Sequence, residues 1–315
     1  MIEILRAGAL TTVQDQGRPG YAHLGVPRSG ALDPAALRLA NRLVGNPEPA
    51  AGLEITLTGC ELRLGRAATV ALTGAPADLR VTCPARCRCR LPAIRSGRDP
   101  ADQPGPAHRL GRPPADRAVD VGRPLSLPAS TVLRIGPARH GLRSYLAVSG
   151  GIAVETVLGS RATDTLSGLG PPPLRDGDRL PLGPEPGPPP PVDFTVPPPP
   201  VDELRLTLRL GPRHDWFTPT ALDRLLRTPY VVSPVGDRIG ARLVGAPLPR
   251  AVAGELPSEG IVLGAVQVPA DGQPLVFLAD HPTTGGYPVV GVVDDVTPLA
   301  QARPGTTVRF HGPQR

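Results

Sequence analysis

The sequence predicts a mainly β protein built as two barrel-like domains, each with one prominent helix. Three observations carry this expectation. Hydrophobic residues make up 40% of the chain but aromatic ones only 3%, with 37 glycines and 44 prolines. Such a chain builds its core from Val, Leu, Ile and Ala, with many turns and few long helices. Runs of period-two alternation recur along it. Finally, residues 184–200 are mostly proline, a stiff extended linker that separates two halves. A length of 315 residues suffices for two cores. The domain expectation is 1–183, then the linker 184–200, then 201–315.

Strands are expected first at 2–5 and 10–13, followed by the polar, glycine-punctuated loop Gln14-Asp15-Gln16-Gly17-Arg18-Pro19-Gly20-Tyr21. Asp33-Pro34 opens a helix, with Asp33 as N-cap and Pro34 in the first turn. Ala36, Leu37, Ala40, Leu43 and Val44 follow at helical spacing, and Gly45-Asn46-Pro47 stops it. Asn41 is on the other face with Arg38 and Arg42. Period two then takes over at Leu53–Leu57, Glu61–Leu64, Thr69–Thr73 and Leu79–Thr82. Glu54 interrupts the first of these runs, on a solvent face or in a pocket.

Residues 83–123 break the pattern and read as a loosely packed insertion. Cys83, Cys87 and Cys89 lie close together there, with His108 as a conceivable fourth zinc ligand, but the spacing matches no common zinc pattern. No metal site is expected. Regular structure returns at Thr131–Ile135 and Ser144–Val148, passes the polar loop Gly159-Ser160-Arg161-Ala162-Thr163-Asp164, and closes at 177–183. The second half starts with the alternating strand Glu203–Leu210. Thr218-Pro219 caps a helix running through Leu226, and strands at 230–233 and 239–244 follow. Gly-Asp-Arg-Leu-Pro-Leu from Gly177 and Gly-Thr-Thr-Val-Arg-Phe from Gly305 close the two halves with related phrases, the faint repeat behind two related barrels.

The richest stretch for chemistry runs from Ser258 to Pro288. Ile261–Val268 and Pro274–Ala279 read as adjacent strands joined by an Asp271-Gly272 turn. Polar residues cluster where these strands end: Glu259, Gln267, Asp280, Thr283 and Thr284, then Gly285, Gly286 and Tyr287. A Thr-Thr-Gly-Gly turn would gather two hydroxyls and two unhindered N–H groups into an anion cradle.

Composition removes several functions. The chain contains no lysine; all 34 basic residues are arginine. Covalent biotin, a pyridoxal Schiff base and a Walker A lysine are therefore excluded. The net charge of +6 lies wholly in Arg80–Arg123, with ten arginines and four aspartates, and no aromatic residues interleave with them. Nucleic acid is not the expected partner. Neither a signal peptide nor an apolar run approaching roughly 20 residues is present, so a soluble, cytoplasmic protein with reduced cysteines is expected.

Motifs spanning nearly the whole chain resemble the biotin-dependent carboxyltransferase family, also called allophanate hydrolase subunit 2, whose stand-alone bacterial members include the C-type subunit of 5-oxoprolinase. They comprise Thr11-Thr12-Val13-Gln14-Asp15-x-Gly17-Arg18, Gly30-Ala31-Leu32-Asp33, Ala40-Asn41-x-Leu43-Val44-Gly45-Asn46 and Leu53-Glu54-Ile55-Thr56. Ala71-Leu72-Thr73-Gly74-Ala75, Arg143-Ser144-Tyr145-Leu146-Ala147-Val148, Gly159–Asp164, Asp237-Arg238-Ile239-Gly240 and the 258–288 stretch continue the series. The chain departs from the family in the length of 83–123 and in Val235-Gly236, where a serine is common.

The resemblance implies two cyclophilin-like β-barrels. It further implies a complex with homologues of the B-type and A-type subunits, which together open 5-oxoproline to L-glutamate at the expense of ATP with Mg. In this reading Thr283, Thr284, Gly285 and Gly286 cradle a phosphate or carboxylate, and Arg238 neutralises it. Glu259 or Asp280 is the acid/base or magnesium-facing carboxylate. Asn41, Gln267 and Tyr287 belong to the substrate- or nucleotide-binding set, and Gln14, Asp15 and Arg18 bring a second polar cluster from the N-terminal domain. Two alternatives stand beside it. One is a carboxyltransferase fed by a separate carboxybiotin carrier and acting on an amide or urea-like substrate. The other is a non-enzymatic regulatory partner of the B-type homologue.

Overall fold

A computed structural model describes residues 1–84, 116–119, 121–185, 187, 195, 199–254 and 256–313. Cys87, Cys89 and His108, most of the insertion and most of the proline-rich linker lie outside the described residues. The chain forms two compact units, each discontinuous in sequence. Met1–Val13, Ala35–Val154 and Pro173–Pro198 make the first; Gln14–Pro34, Glu155–Pro172 and Pro199–Arg315 make the second. The linear boundary drawn at 184–200 gives residues 14–34 and 155–172 to the N-terminal half, whereas they pack with the C-terminal residues.

In the first unit the described strands lie in two sheets. One orders Arg179–Leu180, Ile2–Arg6, Cys60–Leu64, Val132–Ala138, Ala77–Thr82 and Asp116–Val119; the other orders Leu10–Gln14, Gly52–Thr56, Arg143–Val148, Ala68–Gly74 and Leu125–Leu127. Ile2, Ile4, Leu62, Leu64, Leu133 and Ile135 from one sheet share a core with Leu53, Ile55, Val70, Leu72, Leu146 and Val148 from the other. The alternating pattern that predicts these strands is the alternation of faces, one of which is buried here. The helix Pro34–Leu43 buries Ala36, Leu37, Ala40 and Leu43 as its spacing predicts.

Two polar residues of this unit end up inside. Asn41 is fully buried: its amide nitrogen donates to the carbonyls of Glu48 (3.1 Å) and Ala50 (2.7 Å), and its oxygen accepts from Asn46 (3.1 Å). It staples the chain after the helix, with its amide groups engaged by protein and not by substrate. Glu54 is likewise buried, accepting from the Tyr145 hydroxyl at 2.9 Å.

The second unit holds a closed barrel, so the mainly β fold with a barrel is what the strand patterns predict. Its strands run, in order round the barrel, Glu203–Leu210, Val289–Val293, Ala265–Gln267, Leu275–Phe277, Gly240–Val244, Tyr230–Val232 and Thr307–His311. Closure comes from a parallel pairing of Glu203–Leu210 with Thr307–His311. Leu204, Leu206, Leu208, Val266, Val276, Leu243, Val308 and Phe310 fill the interior. The helix Pro219–Arg227 starts as expected, the Thr218 hydroxyl accepting from the Ala221 N–H at 3.1 Å. Val289–Val293 is not foreseen, because Val-Val-Gly-Val-Val carries no alternation. No helix of the described residues is long and apolar enough to cross a membrane.

Candidate active site

The candidate site lies within the second unit. Its centre is a buried ion pair. Asp237 closes a small turn, its carboxylate accepting from the N–H groups of Ile239 (2.7 Å) and Gly240 (3.1 Å), which sends Arg238 inward at the start of a barrel strand. Asp280 follows the strand Leu275–Phe277, held by its N–H on the Arg238 carbonyl (3.0 Å). The guanidinium then forks onto the carboxylate, Nε to Oδ2 at 2.9 Å and Nη2 to Oδ1 at 3.0 Å, with both side chains 0% exposed.

Two further segments converge on the pair. The Ser29 hydroxyl donates to Asp280 Oδ1 at 2.6 Å; the N–H and hydroxyl of Thr165 donate to Oδ2 at 3.0 and 2.8 Å; and Arg238 Nη2 donates to the Gly30 carbonyl at 2.6 Å. Burial, the largest single influence, pushes the Asp280 carboxyl up. The Arg238 charge and the hydrogen bonds from Arg238, Ser29 and Thr165 outweigh it and hold the group below the usual carboxylate range. Every lone-pair direction of the carboxylate is thus engaged by protein. The expected catalytic role of Asp280 requires a free oxygen, and this arrangement offers none; Arg238 commits Nε and Nη2 to the same cluster. It is a clamp that positions its neighbours.

Gln14, Asp15 and Arg18 form a second set of loop contacts, within the same unit and not in the N-terminal one. Asp15 accepts from the N–H of Gly17 (2.8 Å), the Ser160 hydroxyl (2.6 Å) and the N–H of Arg161 (2.6 Å). Arg18 is buried and donates to the carbonyls of Val157 and Ala162, and Gln14 donates to the Thr163 carbonyl at 3.0 Å. These three residues tie the 14–18 loop to the 157–163 loop.

The hairpin of the 258–288 stretch forms as expected, Val266 facing Val276 and Gln267 facing Leu275. The Thr-Thr-Gly-Gly turn does not. Thr284–Gly285 is a short strand paired with Glu259–Gly260, and neither Gly285 nor Gly286 adopts a positive φ. Without the left-handed backbone that makes consecutive N–H groups converge, there is no anion nest. Gly285 serves close packing instead: a Cβ there would sit 2.5 Å from Ile261 Cδ1 and 2.9 Å from Gln267 Nε2. Gln267 donates to the Tyr287 carbonyl at 3.1 Å, and the half-exposed Tyr287 ring lies 5.9 Å from the Arg250 guanidinium. Glu259 is forked by Arg213, whose hydrogen bonds hold its carboxyl below the ordinary value against a smaller upward push from burial.

Beside the clamp is a cleft of about 150 Å³. Polar groups from Gln16, Arg28, Ser29, His281, Asp294 and Asp295 line it, over apolar walls that include Leu32, Leu263 and Val296. None of the expected site side chains lines it; their chain neighbours do. The clamp fixes both flanks, since the Ser29 N–H donates to the Ala279 carbonyl at 3.0 Å and Asp280 directly precedes His281. Asp294 is forked by Arg209 (2.6 and 3.0 Å), and Asp295 accepts from the Thr297 N–H (2.8 Å). Ser29, Thr165 and His281 are the residues that sequence reasoning misses. His281 stands inside the motif phrase Asp280-His281-Pro282, and its ring chemistry is the available signal.

The model for the carboxyltransferase domain, subdomain A and B, matches residues 24–97 and 110–312. The chain belongs to the carboxyltransferase domain family. This is the family that the sequence motifs resemble. It is 37% identical to the C-type subunit of 5-oxoprolinase from Escherichia coli K12, over 98% of this chain and 90% of the relative. It is 30% identical to the urea amidolyase of Lachancea kluyveri, over 98% of this chain but 17% of that protein. Among solved structures, TTHA0988 superposes with a TM-score of 0.79 at 34% identity, covering 99% of this chain and 55% of the other. The Kluyveromyces lactis urea amidolyase superposes with a TM-score of 0.80 at 25% identity, covering 99% and 19%. The carboxyltransferase fold here thus spans about half of the TTHA0988 chain and a fifth of the amidolyase.

Proposed function

We propose that this carboxyltransferase-family chain is the C-type component of an ATP-dependent 5-oxoprolinase complex, which with A-type and B-type partners opens 5-oxoproline to L-glutamate. The observation that carries the reading is mutual coverage. The chain and the bacterial 5-oxoprolinase relative match over 98% and 90% of their lengths, whereas the urea amidolyase match occupies a small part of a much longer protein.

The chemistry explains why such a complex consumes ATP. A lactam oxygen is a poor leaving group until it is phosphorylated; water then opens the ring, and glutamate, ADP and phosphate leave. Magnesium accompanies ATP as co-substrate. The two carboxylates that the sequence puts forward for that ion, Glu259 and Asp280, do not suit it. Among the described residues no three His, Cys, Asp or Glu side chains group together, both Glu259 oxygens face Arg213, and Asp280 is saturated. A magnesium site needs one or two open carboxylates. The reading therefore gives this chain the lactam end of the reaction, in the cleft beside the clamp.

Purified A-type and B-type partners, mixed with this chain, ATP and 5-oxoproline, test the reading. Glutamate formation that requires all three proteins supports it. ATP turnover that stays independent of 5-oxoproline in every combination rejects it. The urea amidolyase matches favour a second reading, a carboxyltransferase. Having no lysine, the chain would take its carboxyl group from a separate carboxybiotin carrier, and urea-dependent release of biotin from such a carrier would establish that reading instead.

A further inference from the structure

We propose that His281 is a catalytic base, its Nε2 taking the proton from the N–H of an amide substrate bound in the cleft beside the Arg238–Asp280 clamp. The inference rests on the proposed reaction for the identity of the amide and of the electrophile its oxygen acquires. Its basis is geometric.

The Nδ1 atom of His281 lies 2.8 Å from the Pro282 carbonyl oxygen. A carbonyl can only accept, so Nδ1 carries the proton, and Nε2 of the neutral ring presents its lone pair. Nε2 has no hydrogen-bond partner among the described residues, although the residue is only 7% exposed. The ring is held in place by Phe277, with centroids 6.4 Å apart and planes at 55°, and by the clamp one residue upstream. A buried imidazole whose tautomer is fixed by the backbone, whose other nitrogen is unclaimed, and which lines a cleft, has the form of a general base.

The surroundings fit an amide. Asp295 lines the same cleft and favours the imidazolium that forms, Asp294 being already paired with Arg209; Arg28, tethered weakly to the Gln16 carbonyl at 3.4 Å, stands as the cation for a substrate carboxylate. Leu32, Leu263 and Val296 supply walls for ring methylenes. In the step itself the N–H bond breaks and its proton goes to Nε2. The electron pair becomes the C=N bond of an imidate as the carbonyl oxygen takes the phosphoryl group of ATP, releasing ADP. An amide N–H is a weak acid in the ground state. It becomes a strong one as its oxygen acquires an electrophile, so a base of histidine strength suffices in the transition state. Urea would present the same N–H beside a carbonyl.

The test uses ring-¹⁵N NMR of the full chain, with 5-oxoproline and urea as probes, and the variants H281N and H281Q. The expected spectrum shows His281 as the Nδ1–H tautomer, with an Nε2 resonance that shifts saturably on addition of one of the probes. An Nε2–H tautomer, or an Nε2 indifferent to both probes, overturns the inference. A shift with urea alone keeps it and removes the 5-oxoproline reading. In whichever enzyme complex proves active, H281N is the discriminating variant. Its amide reproduces the Nδ1 donor to Pro282 but has nothing at Nε2, so a merely structural role survives the change. The expected result is about a 100-fold or greater loss of kcat with KM within a few-fold of wild type, H281Q falling similarly. An H281N complex with wild-type kcat refutes the assignment.

Discussion

A carboxylate and a guanidinium that are both fully excluded from solvent must satisfy each other or destabilise the fold. Removing one partner of the Arg238–Asp280 pair strands the other, so Asp280→Asn or Arg238→Ala is expected to cost about 3–5 kcal/mol in urea unfolding. An unchanged midpoint would show that the clamp is dispensable. The pH dependence follows from the depressed carboxyl of Asp280. Its stabilisation is complete above the unfolded value of about 3.9 and is lost as pH falls through the lower folded value. Wild type should therefore lose stability steeply below about pH 4, and Asp280→Asn should lose less over that interval. In the first unit, burial pushes the Cys60 thiol up to about 12. At pH 8 iodoacetamide should leave Cys60 unmodified in the folded chain and label it in urea, which peptide mass spectrometry reads directly. Native labelling would contradict its burial. The motif residues are visible in the sequence as unusual polar positions. Their partners are not, because Ser29 and Asp280 stand 251 residues apart, and a polar loop residue looks the same whether it meets a ligand or another loop.

At the scale of elements, each longer helix announces itself by a proline in its first turn after a capping residue, and most strands with a solvent face by alternation. The short Leu125–Leu127 and Asp116–Val119, the latter a paired strand inside the expected loose insertion, do not. Val289–Val293 does not, because a strand buried on both sides loses its period. Its glycine shows how tightly it is enclosed. A Cβ on Gly291 would sit 2.5 Å from the Arg209 carbonyl oxygen, whereas the nearest atoms at Gly285 are the ends of the Ile261 and Gln267 side chains. Side-chain ends move aside and a paired backbone does not. Gly291→Ala is therefore expected to lower the melting temperature more than Gly285→Ala, the latter costing about 1–3 kcal/mol as an overpacked position. The reverse order in a thermal unfolding series would reject this account of the barrel. The expected anion cradle fails at the same level. Two glycines after two threonines are compatible with a turn, but pairing with Glu259–Gly260 draws them into an extended ladder.

For the whole molecule, the decisive feature is the route of the chain between units. The proline-rich stretch at 184–200 is conspicuous in composition, so it reads as the boundary. The folded boundary is set by which residues bury one another, and that information is distributed. The closed barrel of residues 203–311 satisfies its own backbone, which would suggest that 199–315 is an autonomous domain. The clamp argues otherwise. Of the groups that saturate Asp280 and Arg238, the Ser29 hydroxyl, the Gly30 carbonyl and both donors of Thr165 come from segments 14–34 and 155–172. A fragment beginning at Pro199 keeps the ion pair and loses those partners, and Leu32 leaves the barrel's apolar cluster with them. Each hydrogen bond lost from a buried charge costs about 1.5–3 kcal/mol, and four such losses approach the roughly 5–15 kcal/mol that holds an ordinary domain together. Water reaching the exposed pair recovers part of that. The fragment 199–315 is thus expected to give poorly dispersed amide spectra and a broad, non-cooperative urea transition, while the full chain unfolds sharply. A cooperative fragment of undiminished stability would mean that the barrel alone sustains the clamp, and that the two inserted segments serve the cleft and not the fold.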